Sequence, residues 1–207
     1  MQLRSTDLTH GEPIDPQFAF GKIDPVDRMT LSDNVSPNLA WKGVSAATRS
    51  FALLCVDPDV PSEAEHANQE GKTLPSDMPR VDFYHWVMID IPASTRELAS
   101  GECGRGVVPS GKSEPPGPEQ SRQGLNDFTR FLAGSEMEGR YFGYDGPCPP
   151  WNDERLHHYH YTLYALDVDT IDIADPFDGP AVKAAIEGHV LDQATITGTY
   201  TLNPEVG

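Results

Sequence analysis

The sequence predicts a mainly β chain: a β-sandwich or barrel-like core with a few peripheral helices. Three observations carry this. Several short apolar stretches alternate with a two-residue period, 18 Gly and 19 Pro punctuate them, and only one stretch, near the carboxy end, has a helical apolar stripe. At 207 residues, a single well-buried domain over 1–207 is the expectation. A hydrophobic share of 38%, with three Trp, seven Tyr and eight Phe, can supply its core despite 23% charged residues.

Residues 1–42 are interrupted by Pro13, Pro16, Pro25 and Pro37 and read as short strands and loops. Within 31–44 the alternation predicts a short strand that buries Trp41. Residues 50–56, SFALLCV, form a continuous apolar run bounded by turn signals, as a fully buried strand does. The run leads into DPDVP, which sets Asp57 and Asp59 at a strand end, either as functional carboxylates or as solvated turn residues. Residues 62–80 are polar and read as a surface loop.

In 83–91 a strand period puts Phe83, His85, Val87, Ile89 and Ile91 on one face and Tyr84, Trp86, Met88 and Asp90 on the other. His85 is then either a core histidine with its hydrogen bonds satisfied or a ligand-facing one. Residues 93–140 hold no sustained period and predict an extended loop anchored by Phe128, Phe131 and Leu132, suited to function or to an oligomer contact such as a homodimer. Over 178–190, Asp178 can cap, Pro180 suits the first turn, and Val182, Ala185, Ile186 and Val190 form one stripe of a helix. Residues 194–202 return to alternation, with Ile196, Tyr200 and Leu202 on one side of a closing strand.

Charge excludes some functions. With 15 Lys plus Arg against 32 Asp plus Glu, the formal net charge of −17 opposes non-specific attraction to nucleic acid or to anionic lipid. Such an acid excess fits a chain from a salty cytoplasm as well as an ordinary acidic cytosolic protein. Three cysteines without a C-x-x-C pair signal neither a disulfide framework nor a zinc clamp. The amino end lacks an apolar signal core, and no stretch approaches the roughly 18 apolar residues of a membrane span, so a cytoplasmic chain without membrane insertion is expected.

The chemistry gathers in 146–167, GPCPPWNDERLHHYHYTLYALD, where a Gly-Pro loop runs into closely spaced histidines on a strand. One face would carry His157, Tyr159, Tyr161 and Leu163, the other His158, His160, Thr162 and Tyr164. His158 and His160 are an i, i+2 pair without a third metal ligand. His157 and Tyr159, with a backbone N–H such as that of Gly146, could instead donate to a small anion. The segments 55–61 and 83–92 are the ones expected to face this loop. Cys148 sits between Pro147 and Pro149 and reads as a structural thiol in preference to a nucleophile.

The sequence resembles the phosphatidylethanolamine-binding protein family, in its bacterial and archaeal branch of Raf-kinase-inhibitor-like proteins. The resemblance rests on NVSPNLAW (34–41), DPDVP (57–61), YHWVMIDIP (84–92), GYDGPCPP (143–150), HHYHYTLYALD (157–167) and AAIEGHVL (184–191), which occur in family order over most of the chain. It implies an antiparallel β-sandwich-like fold with an anion pocket at one end that accepts phosphate-bearing groups and needs no cofactor. Carried over by position, the pocket would comprise Asp57, His85, the Gly146 backbone, His157 and Tyr159, with Asp59, Pro147 and Pro149 in its wall. Asp57 is then expected to accept from His85 or His157, so that an imidazolium meets the anion, or to receive an ammonium head group. The expected role is a binding or regulatory module for phosphate or a phosphorylated head group. Inhibition of a protease or kinase through surface loops, with an unidentified protein partner, and hydrolysis by the Asp/His/Tyr set are the alternatives.

Overall fold

The computed structural model describes residues 1–206. In chain order its strands are β1 Gln2–Arg4, β2 Gly21–Asp24, β3 Arg28–Leu31, β4 Leu39–Lys42, β5 Ser50–Pro61, β6 Arg80–Pro92, β7 Glu97–Leu98, β8 Gly111–Lys112, β9 Arg122–Gln123, β10 Arg140–Tyr141, β11 His157–Leu166 and β12 Val190–Tyr200. Two short α-helices, α1 Phe128–Phe131 and α2 Gly179–Ala185, and a 3-10 turn at Pro16–Phe18 interrupt them. A five-stranded antiparallel sheet runs in the order β12-β11-β5-β6-β9. The antiparallel set β1-β4-β7 forms a smaller sheet, β2 and β3 form a hairpin, and β8 and β10 pair in parallel.

Both faces of the central sheet are covered, which is why β5 reads as an unbroken apolar run rather than an alternating one. On one face Phe51, Leu53, Cys55, Trp86, Tyr161 and Leu163 pack with Leu39, Trp41 and Leu98 of the small sheet. Trp41 meets Phe51 edge-on at 5.3 Å between centroids. On the other face Ala52, Leu54, Val87 and Ile89 pack under Val182 and Ile186 of α2. Mainly β, antiparallel and layered, the fold is the expected one. No helix among the described residues is long and apolar enough to cross a membrane.

Four local expectations need correction. First, β5 does not end at Val56 but continues to Pro61, so Asp57 and Asp59 are buried strand residues. Second, the simple alternation of 83–91 fails. Cys55 pairs with Trp86 while Val56 pairs with Tyr84, which leaves His85 as the extra residue of a β-bulge. Phe83 therefore packs beside His85, whereas Tyr84, Val87 and Ile89 share the opposite core. Third, α2 stops before Glu187, where Gly188 at φ +84° turns the chain, and Val190 belongs to β12. The predicted Asp178 cap is present, its Oδ1 accepting from Ala181 N at 3.0 Å. Fourth, Phe131 is 48% exposed and only meets Phe83 and Phe128 edge-on, while Phe128 is buried.

Candidate functional site

Where β5, β6 and β11 run out toward the Gly-Pro loop, their ends enclose a cavity of about 40 Å³. One water-sized probe fills roughly 10–15 Å³ on this measure, so the hollow suits a group the size of a few waters and not an acyl chain. Asp57, Phe83, His85, His157 and Tyr159 come from strands, Cys148, Pro149 and Pro150 from the loop. Val60, Pro61, Ala64, Ala67, Phe128 and Phe131 complete an apolar mouth.

His157 is fully buried at the start of β11. Its Nδ1 lies 2.7 Å from Asp57 Oδ2 and its Nε2 3.1 Å from Asp153 Oδ2. Burial pulls its pKa down, but the hydrogen bonds to Asp153 and Asp57 outweigh that and raise it to about 9. His157 is thus an imidazolium held between two carboxylates. Asp153 is also gripped by Arg80, with Nη1 donating to Oδ2 at 2.6 Å and Nη2 to Oδ1 at 3.0 Å. Burial alone would raise the Asp153 pKa, yet His157 and Arg80 hold it below the usual carboxylate value. Asp57, His157, Asp153 and Arg80 together carry no net charge.

His85 has a different environment. Phe83, Phe128 and Tyr159 surround it, at centroid distances of 4.7, 5.6 and 5.1 Å. Its Nδ1 donates to the Asp145 carbonyl at 2.9 Å, which leaves Nε2 with a lone pair in the neutral ring. Burial lowers its pKa, against the opposing pull of Asp57. Asp145 is itself a hub: Oδ1 accepts from Asn34 at 2.7 Å and Lys112 at 3.0 Å, and Oδ2 from Asn126 at 2.7 Å. Three separate segments of chain thereby fix the carbonyl that sets the His85 tautomer.

Of the residues expected in the pocket, Asp57, His85, His157, Tyr159 and Pro149 line one cavity. Gly146 does not. Its N–H donates to Asn34 Oδ1 at 2.8 Å, and a Cβ there would lie 2.0 Å from the Phe18 carbonyl oxygen, so the glycine serves a close backbone approach. Asp59 and Pro147 are also absent from the lining. Asp59 faces away, bonded to Arg155 Nε at 2.7 Å and His158 Nδ1 at 2.8 Å. The bulge in β5 explains this, because register shifts between Asp57 and Val60. His157 is in place, but both its ring nitrogens are occupied by carboxylates, so it cannot present an N–H to an anion. The imidazolium exists, paired inward rather than aimed at a guest.

Tyr159 is fully buried and its hydroxyl has no hydrogen-bond partner. Burial, with Asp57 nearby, pushes its pKa well up, so it remains a phenol and a donor. Cys148 is also held as a thiol, burial pushing it up to about 12. His158 and His160 stack at 6.5 Å, and each Nδ1 is taken, by Asp59 and by Thr197 Oγ1. Among the described residues no group of three His, Cys, Asp or Glu surrounds a common metal position.

The family model for phosphatidylethanolamine-binding protein matches residues 4–201. The chain belongs to that family. It is 32% identical to the UPF0098 protein YbhB of Escherichia coli over 201 residues, 97% of this chain and 100% of that one. It is 33% identical to a UPF0098 protein of Methanothermobacter thermautotrophicus over 81% of this chain and 83% of the relative. The crystal structure of E. coli YbcL, described as a new member of the mammalian PEBP family, superposes with a TM-score of 0.69 at 26% identity, covering 97% of each chain. The YbcL structure shares the layered sheet, and membership of the family supports a ligand-binding module.

Sequence reasoning missed several parts of the site. Asp153, four residues before His157, was legible only as part of the loop that leads into the histidines, and nothing in the sequence ties Arg80 to it. Asp145 and its donors Asn34, Lys112 and Asn126 stand in four separate segments, with no spacing to link them. The apolar mouth draws Ala64 and Ala67 from a stretch that reads as plain surface loop.

Proposed function

We propose that this chain is a binding or regulatory module for a small phosphate-like oxyanion, taken free or as the head of a larger molecule. The observation that supports it is the buried Tyr159 hydroxyl, which makes no hydrogen bond of normal geometry although Asp57 lies close by, in a residue that lines a cavity whose size suits such a group. Buried polar groups left unpaired cost about 1–3 kcal/mol, and an oxyanion that accepts from Tyr159 removes that penalty. His85 Nε2 is the second polar contact. Val60, Ala64, Ala67 and Phe131 at the mouth accept an uncharged remainder of the ligand. The phosphate-bearing guest of the family resemblance fits the same hollow, with Tyr159 donating in place of His157 and Gly146 and His85 Nε2 accepting from the guest.

Titration calorimetry with inorganic phosphate at pH 7 tests the reading. Saturable binding is expected, weakened about tenfold in Tyr159→Phe, which removes only the hydroxyl. No saturation in the wild-type protein by about 10 mM phosphate would overturn it.

A further inference from the structure

The polar atoms that face the cavity are of unequal kind. Asp57 Oδ2 accepts from His157 and Oδ1 accepts from the Asp59 N–H at 2.8 Å, and each oxygen retains a further lone pair. His85 donates its Nδ1 proton to the Asp145 carbonyl and so offers a lone pair at Nε2. The His157 protons are consumed by Asp57 and Asp153. Tyr159 and the weaker Cys148 thiol are the side-chain donors left among the lining residues described, beside two acceptors. An oxyanion without hydrogens would satisfy Tyr159 but would press lone pairs against Asp57 and His85.

We propose that the site selects an oxyanion carrying its own proton, a hydrogen-phosphate group, and that Asp57 is the residue that enforces this choice. This rests on the oxyanion reading above. The ligand P–OH donates to Asp57 or to His85 Nε2, while a P–O⁻ oxygen accepts from Tyr159. Sulfate has the same shape and carries no proton near neutral pH, so it has no hydrogen to donate to the remaining lone pairs of Asp57 and His85. A site whose buried polar groups must be paired rejects an analogue lacking the matching hydrogen far more strongly than an apolar pocket rejects a change of size. The net neutrality of the Asp57–His157–Asp153–Arg80 set matters here, because no surplus positive charge is present to override the mismatch.

Titratable groups around the two acceptors come from every neighbouring element. Asp57 is faced by His157 and Tyr159 of β11, His85 of β6 and the adjacent Asp59. His85 is faced by Asp57 of β5, Asp127 before α1, Asp145 of the Gly-Pro loop and Tyr159. Because these groups act on the hydrogen-phosphate dianion and on sulfate, which have the same charge, in the same way, ratios between ligands are the useful readout.

The experiment compares inorganic phosphate, sulfate and methyl phosphate on the wild-type protein by calorimetry from pH 6 to 8. Phosphate retains a P–OH throughout, and methyl phosphate loses its last proton with a pKa near 6. The expected result is sulfate at least about tenfold weaker than phosphate at pH 7. Methyl phosphate should also weaken relative to inorganic phosphate by about tenfold from pH 6 to pH 8. Asp57→Asn, which can donate as well as accept, should narrow the phosphate-to-sulfate ratio below about threefold. Equal binding of phosphate and sulfate by the wild-type protein overturns the selectivity and leaves the oxyanion reading standing. If neither anion binds, both fall. Should Asp57→Asn not fold, the methyl phosphate ratio on the wild-type protein still decides, a flat ratio across pH being the contrary result.

Discussion

His157 and His85 stand in the walls of one cavity, yet they are opposites. His157 has a carboxylate on each ring nitrogen, is charged, and ties β5, β11 and the segment 151–156 together. His85 has a carbonyl on one nitrogen, three aromatic rings around it and one nitrogen open. The comparison teaches that residue type and proximity to a cavity do not assign a role. The partners do: a histidine saturated by carboxylates is a structural cation, and one oriented by a single carbonyl is a group with something to offer a guest.

The largest test of this contrast is its loss by mutation. His157→Ala leaves Asp57 and Asp153 buried side by side without their shared cation and should cost about 3–5 kcal/mol in urea denaturation. His85→Ala forfeits one hydrogen bond and some ring contact and should cost about 1–2 kcal/mol. Equal losses would dissolve the distinction.

The pH dependence of stability should split the same way. The folded His157 pKa of about 9 lies above the unfolded value of roughly 6.5. Its stabilisation is complete below about pH 6.5 and disappears as pH rises through 9, on the order of 3 kcal/mol in all. The His85 pKa is lowered instead, so it destabilises as pH falls below about 6.5, where the unfolded chain takes up the proton more readily. Denaturation midpoints from pH 5 to 10 should lose their upper slope in His157→Gln and part of their lower slope in His85→Gln. Buried thiols add to the loss above about pH 8.5, so the difference between variant and wild type is the quantity to read.

The smallest effect sharpens the contrast without disturbing the site. Lys112→Met removes one of the donors to Asp145 and leaves Asn34 and Asn126, for an expected cost of about 1 kcal/mol. Nitrogen-15 shifts at pH 8 should still report His85 protonated at Nδ1 alone and His157 at both nitrogens, as in wild type. A switched His85 tautomer would mean that the Asp145 carbonyl does not govern it.

Much of the fold was legible because it follows from local periodicity. The buried run at Ser50, the alternation of His157 to Leu166, the Asp178 cap and the buried Trp41 each depend on neighbours in sequence. Convergence of Asp57, His85, His157 and Tyr159 was legible through resemblance to the family. What failed depends on contacts across the sheet. The bulge at His85 arises from pairing with β5, and strand parity within 83–91 cannot reveal it. The donor at Gly146 was counted as free because its acceptor, Asn34, lies 112 residues away. The histidine pairing was half foreseen: Asp57 does hold His157, but Asp153 claims the proton that would have met an anion.

The extra residue in β6 carries an evolutionary consequence. Deleting one position between Tyr84 and Trp86 would remove the register shift with β5 at that point, giving a tidier sheet and a hollow stripped of its imidazole. At that point regularity of the backbone and receptiveness to a guest are competing properties. Selection for a more orderly strand alone would erase the site while every other wall residue stayed unchanged.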